Sequence, residues 1–311
     1  GRFGLGSFKA LGGAYAVARL LQRRLSEMLG REVSMAEVVA VAHPEAAAEV
    51  TVCCATDGNH GRSVAWGARN FGAACVIFIH ATVSEGRKAA IEAYGAEVRR
   101  CAGNYDDSVR EAQATADREG WFVVSDTSYP GYMDVPRDVM QGYEMMAAEA
   151  CEALAEPPTH VFIQTGVGGL AAAVAAQAVR RWGAARPMIV LADPDRAACW
   201  LESTVAGAPV AVEGDLDTLM AGLACGEVSA LAWEVLKDHG DAVMAMPDAA
   251  AVAAMNRLAR PQGGDPAVVA GESAVAGLAA LENALADPRA ASALGLDASS
   301  RVLIFGTEGD T

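Results

Sequence analysis

A two-lobed α/β fold, each lobe a mainly parallel sheet flanked by helices, is what this sequence predicts, and three observations carry the prediction. From residue 50 onward, short apolar runs rich in Val, Ile, Phe and Cys alternate with longer amphipathic segments. That alternation indicates βαβ units, with functional groups gathered at the carboxyl ends of the strands. The length of 311 residues suggests two domains at roughly 150 residues each. An apolar share of 52% against 20% charged residues is ample for large buried cores and excludes a disordered chain.

The elements follow in order. Ser7 is placed to cap a helix that puts Lys9 in its first turn and runs to residue 20 or beyond. Residues 50–55, 75–80, 97–101 and 121–125 read as strands, β-rich runs bounded by turn formers. Between them, 60–70, 84–94 and 105–119 carry apolar residues three and four apart and read as helices. The second half repeats the rhythm, with strands over 159–164, 188–192, 242–246 and 301–305 and helices near 134–154, 169–182 and 271–285. Glu156-Pro157-Pro158 marks a boundary. The expected division is a small α/β domain over 41–144 and a large domain made of 1–40 plus 145–311. Gly1-Arg2 opens directly onto a glycine-rich turn and Thr311 follows at once on a strand end, so further residues are expected on both sides.

Composition narrows the function. Twenty-four Lys and Arg against 39 Asp and Glu give a net charge of −15, which excludes nucleic acid and anionic membrane as partners. The longest apolar stretch, 169–179, is alanine-rich, interrupted by Gln177 and too short to span a bilayer. Seven cysteines at irregular spacing, with no CxxC, fit neither a metal site nor a small disulfide scaffold. A soluble, cytoplasmic protein with no metal is expected, with His80, His160 and His239 in structural or surface roles.

The basic residues are uneven: 21 Arg but only Lys9, Lys88 and Lys237. Chemistry that needs a neutral primary amine cannot use Arg. Lys88 and Lys237 lie in charged helical contexts, whereas Lys9 sits in GLGSFKALGGAYAV beside Phe8, Ala10 and Leu11. An apolar collar and a positive helix end would lower its pKa and free the amine for a Schiff base; the other reading is a surface lysine on an apolar helix. Three strand-to-loop segments accompany it. Ala55-Thr56-Asp57-Gly58-Asn59-His60-Gly61 opens a helix whose amides suit a carboxylate or phosphate, or forms a simple capped Asp-Gly turn. Gln164-Thr165-Gly166-Val167-Gly168-Gly169-Leu170 suits a phosphate, or is a tight ligand-free turn. Phe305-Gly306-Thr307-Glu308-Gly309-Asp310-Thr311 is a further polar strand end. Together they supply what pyridoxal 5′-phosphate needs: an amine for its aldehyde, a loop for its phosphate and polar contacts for its ring.

The order GSFKALGG, ATDGNHGRSVAWGA, GAEV then NYDD, SDTSYPGY, VMQGY, QTGVGGL, GTEGDT covers essentially the whole chain. It resembles the fold type II, tryptophan-synthase-β-like family of pyridoxal-phosphate enzymes, and within it the diaminopropionate ammonia-lyase branch. Serine and threonine dehydratases share several elements but usually carry a serine pair or serine-alanine where this chain has Thr56-Asp57. The resemblance implies a lyase of amino-acid catabolism that converts 2,3-diaminopropionate, both L and D, to pyruvate and two ammonia. It implies Lys9 as Schiff-base lysine and base, Asn59 on the ring hydroxyl, Gly166, Val167, Gly168, Gly169 and Leu170 around the phosphate, and Thr307 at the pyridine nitrogen. Thr56, Asp57, Gly58, His60, Asp126 and Tyr129 would meet the substrate. Asp57 would act as base on the face opposite Lys9, and Asp126 would bind the β-ammonium. A turn cap is the plainer role for Asp126. Tyr129 stands where the family has tryptophan and Ala274 where it has glycine, which bears on pocket shape. A homodimer with each active site complete in one chain is also implied. A dehydratase, and a non-catalytic cofactor- or amino-acid-binding module, are the competing readings. Cys199 and Cys225, 26 residues apart after the 188–192 strand, are candidates for a disulfide at the pocket rim, against reduced cytoplasmic thiols.

Overall fold

The computed structural model describes residues 3–56 and 58–309. Packing divides the chain into two units, residues 1–142 and 143–311. In the first, α1 (Lys9–Leu29), α2 (Met35–Val39) and α3 (Pro44–Ala48) precede β1 (Thr51–Ala55), α4 (Asn59–Phe71), β2 (Ala74–Ile79), α5 (Glu85–Glu92), β3 (Glu97–Arg100), α6 (Tyr105–Glu119) and β4 (Phe122–Val123). The next helix, α7 (Asp134–Ala153), runs through the dividing position. The strands lie in the order β3-β2-β1-β4 and pair in parallel, with Cys53 opposite both Val76 and Val123. Both faces of such a sheet are covered, which is why β1 reads as a continuous apolar run rather than an alternating one. Cys53, Val76, Phe78 and Cys101 pack there against Ala112 and Ala116 of α6.

Residues 1–40, expected with the large domain, belong to the first unit. The reason lies in small residues on α1 and α4. A Cβ at Gly67 would stand 2.8 Å from Ala14 Cα, and one at Gly13 would fall on Ser63 Oγ. Glycine at these positions lets the two helix backbones approach closely, and Ser63 Oγ donates to Lys9 O at 2.6 Å. That bond docks the first turn of α1 on α4.

The second unit runs β5 (His160–Gln164), α8 (Gly169–Trp182), β6 (Met188–Pro194), α9 (Cys199–Ala206), α10 (Ala230–His239), β7 (Ala242–Met246), α11 (Asp248–Ala259), α12 (Ala276–Ala286), α13 (Pro288–Leu294) and β8 (Val302–Ile304). Its strands are parallel in the order β7-β6-β5-β8. Phe162, Val190, Met220, Met246 and Val275 are among its buried core. The eight predicted strands and seven predicted helices are present, with shifted ends. Two ends have clear causes. β4 stops early because the Ser125 amide turns to Tyr132 Oη instead of continuing the ladder. The helix expected from 271 starts at Ala276 because Gly271 and Ser273 donate their amides to Glu308 O and Oε1. Helix α2 also had a sequence signal, the Ser34–Glu37 capping box. Among the described residues no helix is long and apolar enough to cross a membrane.

Candidate active site

Lys9 is the first residue of α1, and its amide reaches Ser7 Oγ at 3.3 Å. Phe8, rather than Ser7, is the N-cap, so the serine supports the helix start from one position further out. The Lys9 side chain is not in a purely apolar collar. Its ammonium lies over the Phe8 ring at 5.4 Å and pairs directly with Asp126 Oδ2. Burial alone would push the Asp126 carboxyl up, but the Lys9 charge with His60 beside it holds it well below the usual carboxylate range. Asp126 is therefore an anion at any working pH while a cation stands beside it. The capping role belongs to its neighbour, since Ser125 Oγ accepts the Thr127 amide at 3.2 Å.

His60 is buried in the first turn of α4, with Nε2 on Val124 O at 2.8 Å. A carbonyl only accepts, so Nε2 carries the proton. Nδ1 faces Asp126 Oδ2 across 3.8 Å. Tyr132 fixes the strand end that presents Asp126: its hydroxyl accepts the Ser125 amide at 3.0 Å and donates to Val123 O at 2.9 Å. Sequence reasoning passed over Tyr132. Its signal is the Pro130-Gly131 turn, which folds Tyr129 back so that the two rings stack with centroids 5.1 Å apart.

The remaining expected residues of the first unit behave differently from one another. Thr56 is buried, and its Oγ1 accepts the amides of Gly58 and Gly61, each at 3.1 Å. It therefore caps α4 as an acceptor and keeps its own hydroxyl proton to donate. Asn59 opens α4 half-buried, directly after Gly58. Tyr129 is 47% exposed, occupied with Tyr132. Asp57 lies outside the described residues.

In the second unit, the loop from β5 to α8 has the features of an anion cradle. Gly166 (φ +58°) and Gly168 (φ +99°) adopt left-handed backbone conformations, and a Cβ on Gly168 would overlap the Trp200 ring. Gly168 N donates to Thr165 O at 3.0 Å, and Ser229 N to Val167 O at 2.9 Å, so the loop is pinned on both sides. No side chain caps the buried start of α8. Uncapped amides at a helix N-terminus are donors aimed at an anion. Thr307 is buried beyond β8, where Gln164 Nε2 donates to its Oγ1 at 2.5 Å and to Phe305 O at 3.0 Å. The Phe305 carbonyl fixes the orientation of the Gln164 amide, so Thr307 accepts from Gln164 and is left to donate its own proton. Gln164 was quoted in the sequence only as part of a loop; its signal is a polar residue ending a wholly buried strand.

Taken unit by unit, the donor set has the chemistry a phosphate-bearing aldehyde cofactor with a ring nitrogen calls for: the first unit offers the Lys9 amine, and the second offers an anion cradle at 166–170 and a hydroxyl donor at Thr307. A donor at the nitrogen suits a ring that stays unprotonated there. Cys199 and Cys225 are not joined in a disulfide. Cys199 is buried and directs Sγ to Gly166 O at 3.6 Å, so it serves the loop rather than a rim disulfide.

Comparison with known proteins gives a consistent picture. The family model for pyridoxal-phosphate dependent enzymes matches residues 3–307. The diaminopropionate ammonia-lyase of Escherichia coli strain K12 is 40% identical over 316 residues, covering 100% of this chain and 78% of that protein. The crystal structure of the Escherichia coli diaminopropionate ammonia-lyase in complex with D-serine superposes with a TM-score of 0.89 at 37% identity, over 99% of this chain and 78% of that one. The same enzyme in complex with an aminoacrylate-PLP azomethine reaction intermediate gives a TM-score of 0.87 at 37% identity, with the same coverage.

Proposed function

The chain belongs to the pyridoxal-phosphate-dependent enzymes, in their diaminopropionate ammonia-lyase group, and on that footing we propose how its own residues carry the reaction. It is a carbon–nitrogen lyase that takes 2,3-diaminopropionate and water to pyruvate and two ammonia. The bound cofactor supplies an aldehyde for the substrate amine and a ring that withdraws electrons from the α-carbon. Lys9 would hold the aldehyde and, once freed by the substrate amine, would take the α-proton on Nζ. Gly166 to Leu170 hold the phosphate, Asn59 the ring hydroxyl, and Thr307 donates to the ring nitrogen.

The observation that carries the choice of substrate is the Lys9–Asp126 pair. Asp126 is built to hold an ammonium. Once Lys9 leaves it, the substrate's β-ammonium can take the same place, and an amine already protonated departs as neutral ammonia without an acid catalyst. The hydroxyl of serine carries no charge for Asp126 to hold and must gain a proton before it can leave. This favours the diamino acid over a dehydratase reaction. Steady-state pyruvate formation from each diaminopropionate isomer and from L-serine tests it: serine turned over as well as diaminopropionate would overturn this reading.

Asp57, by resemblance to the family, is the base for the D isomer. Asp57→Asn should depress turnover of the D isomer about 10²- to 10⁴-fold, the usual contribution of a positioned base. L-isomer turnover, served by Lys9, should fall far less. Equal losses would assign Asp57 a binding role. Seven thiols with no disulfide among them support a cytoplasmic location. The protein works as a homodimer, and light scattering at micromolar concentration should return twice the 32.0 kDa chain mass.

A further inference from the structure

Behind the 166–170 loop lies a carboxyl with no task in the account above. Asp193, on β6, is fully buried at 0% exposure. Its Oδ2 accepts the Trp200 amide at 3.2 Å, while Oδ1 has no hydrogen-bond partner of good geometry. Trp200 returns to the loop, with Nε1 donating to Gly166 O at 3.0 Å, beside the Cys199 thiol on the same oxygen. The Gly166 amide in turn pulls on the Asp193 carboxyl. The Gly166 carbonyl is thus held by Trp200 and Cys199 together, and the Trp200 ring fills the space against Gly168.

We infer that Asp193 is a positioning residue for the phosphate loop, orienting Gly166 and Trp200, and that its ionisation loosens the loop's grip on a phosphate dianion. The inference rests on the cofactor reading above. A neutral carboxyl leaves the positive end of α8 free to act on the phosphate, whereas an anion behind the loop sets like charge against it. Burial, opposed only by the Trp200 and Gly166 amides, pushes the Asp193 pKa up to about 7, so the group exchanges its proton in the working range. Among the described residues no cation acts on it. The titratable group facing it from α9 is Cys199, whose thiol is pushed up by burial and by Asp193 itself and stays protonated. Cys225 in turn acts on Cys199.

Cofactor-stripped protein, titrated with pyridoxal 5′-phosphate between pH 6 and pH 8.5, tests the inference, with wild type and Asp193→Asn compared at each pH. Changes common to both proteins, including phosphate ionisation and Lys9, cancel in the ratio of their dissociation constants. Wild type should lose affinity relative to the variant by on the order of tenfold across this range. With pyridoxal, which has the aldehyde but no phosphate, the ratio should stay flat. Trp200→Phe should weaken binding at every pH without changing the shape of the profile. A pH-independent ratio, or the same trend with pyridoxal, overturns the inference and leaves the cofactor reading standing. Absence of binding in wild type overturns both.

Thermal melting without cofactor gives a second readout. The folded-state pKa of Asp193 lies above its unfolded value, so folding bears no penalty from it below about pH 4; the penalty grows to about pH 7 and then levels. The Tm advantage of Asp193→Asn should grow over the same interval. A constant difference would show that Asp193 does not titrate and would overturn the inference.

Discussion

Replacing Lys9 with alanine should remove essentially all multiple-turnover pyruvate formation, a loss of about 10⁴-fold or more, because one side chain acts as both nucleophile and base. The near-visible absorbance of cofactor bound as an imine should vanish with it. The variant should still fold, since α1 is docked through the Lys9 carbonyl and Ser63 rather than through the amine. It should nevertheless melt lower at neutral pH. Asp126, held well below its ordinary pKa chiefly by Lys9 against the cost of burial, contributes stability above the unfolded carboxyl pKa and loses it as pH falls. Without the lysine that contribution disappears, so wild type and variant should converge in stability in acid. Substantial turnover in Lys9→Ala would sink the assignment of the catalytic amine.

Asp126→Asn should be damaging to a smaller degree, but selectively. The asparagine keeps the shape of the side chain and loses the charge that holds an ammonium. A hydrogen bond to a charged group is worth about 1.5–3 kcal/mol, which corresponds to a fall of roughly 10- to 150-fold in kcat/KM for diaminopropionate. Slow turnover of serine, which brings no β-ammonium, should change much less. Cofactor binding should persist, because Lys9 remains. A parallel loss with both substrates would place Asp126 in general support of Lys9 and leave the β-ammonium without its partner. Tyr132→Phe probes the same point indirectly, since it removes the hydroxyl that secures Ser125 and Val123 on either side of the strand end.

Much of this molecule was legible in the linear chain. Parallel strands buried on both faces leave continuous apolar runs, so β1, β5 and β6 could be read directly. The glycines at 166 and 168 marked a tight turn, which the structure shows left-handed at both, and three lysines among 24 basic residues drew attention to Lys9. What the sequence could not supply was the partner each group meets. Lys9 and Asp126 are 117 positions apart, and only the docking of α1 on α4 brings a carboxylate to an amine expected in an apolar collar. The same packing set residues 1–40 with the first unit. Thr56 caps α4 because two amides lie within reach of its hydroxyl, a contact the sequence did not announce. Asp193 looked like one more acidic residue. Local periodicity determines which elements form, because it is a property of neighbours in the chain. The ionisation of Asp126 and Asp193 depends on dielectric and on charges that only tertiary packing brings near, so it was decided in three dimensions.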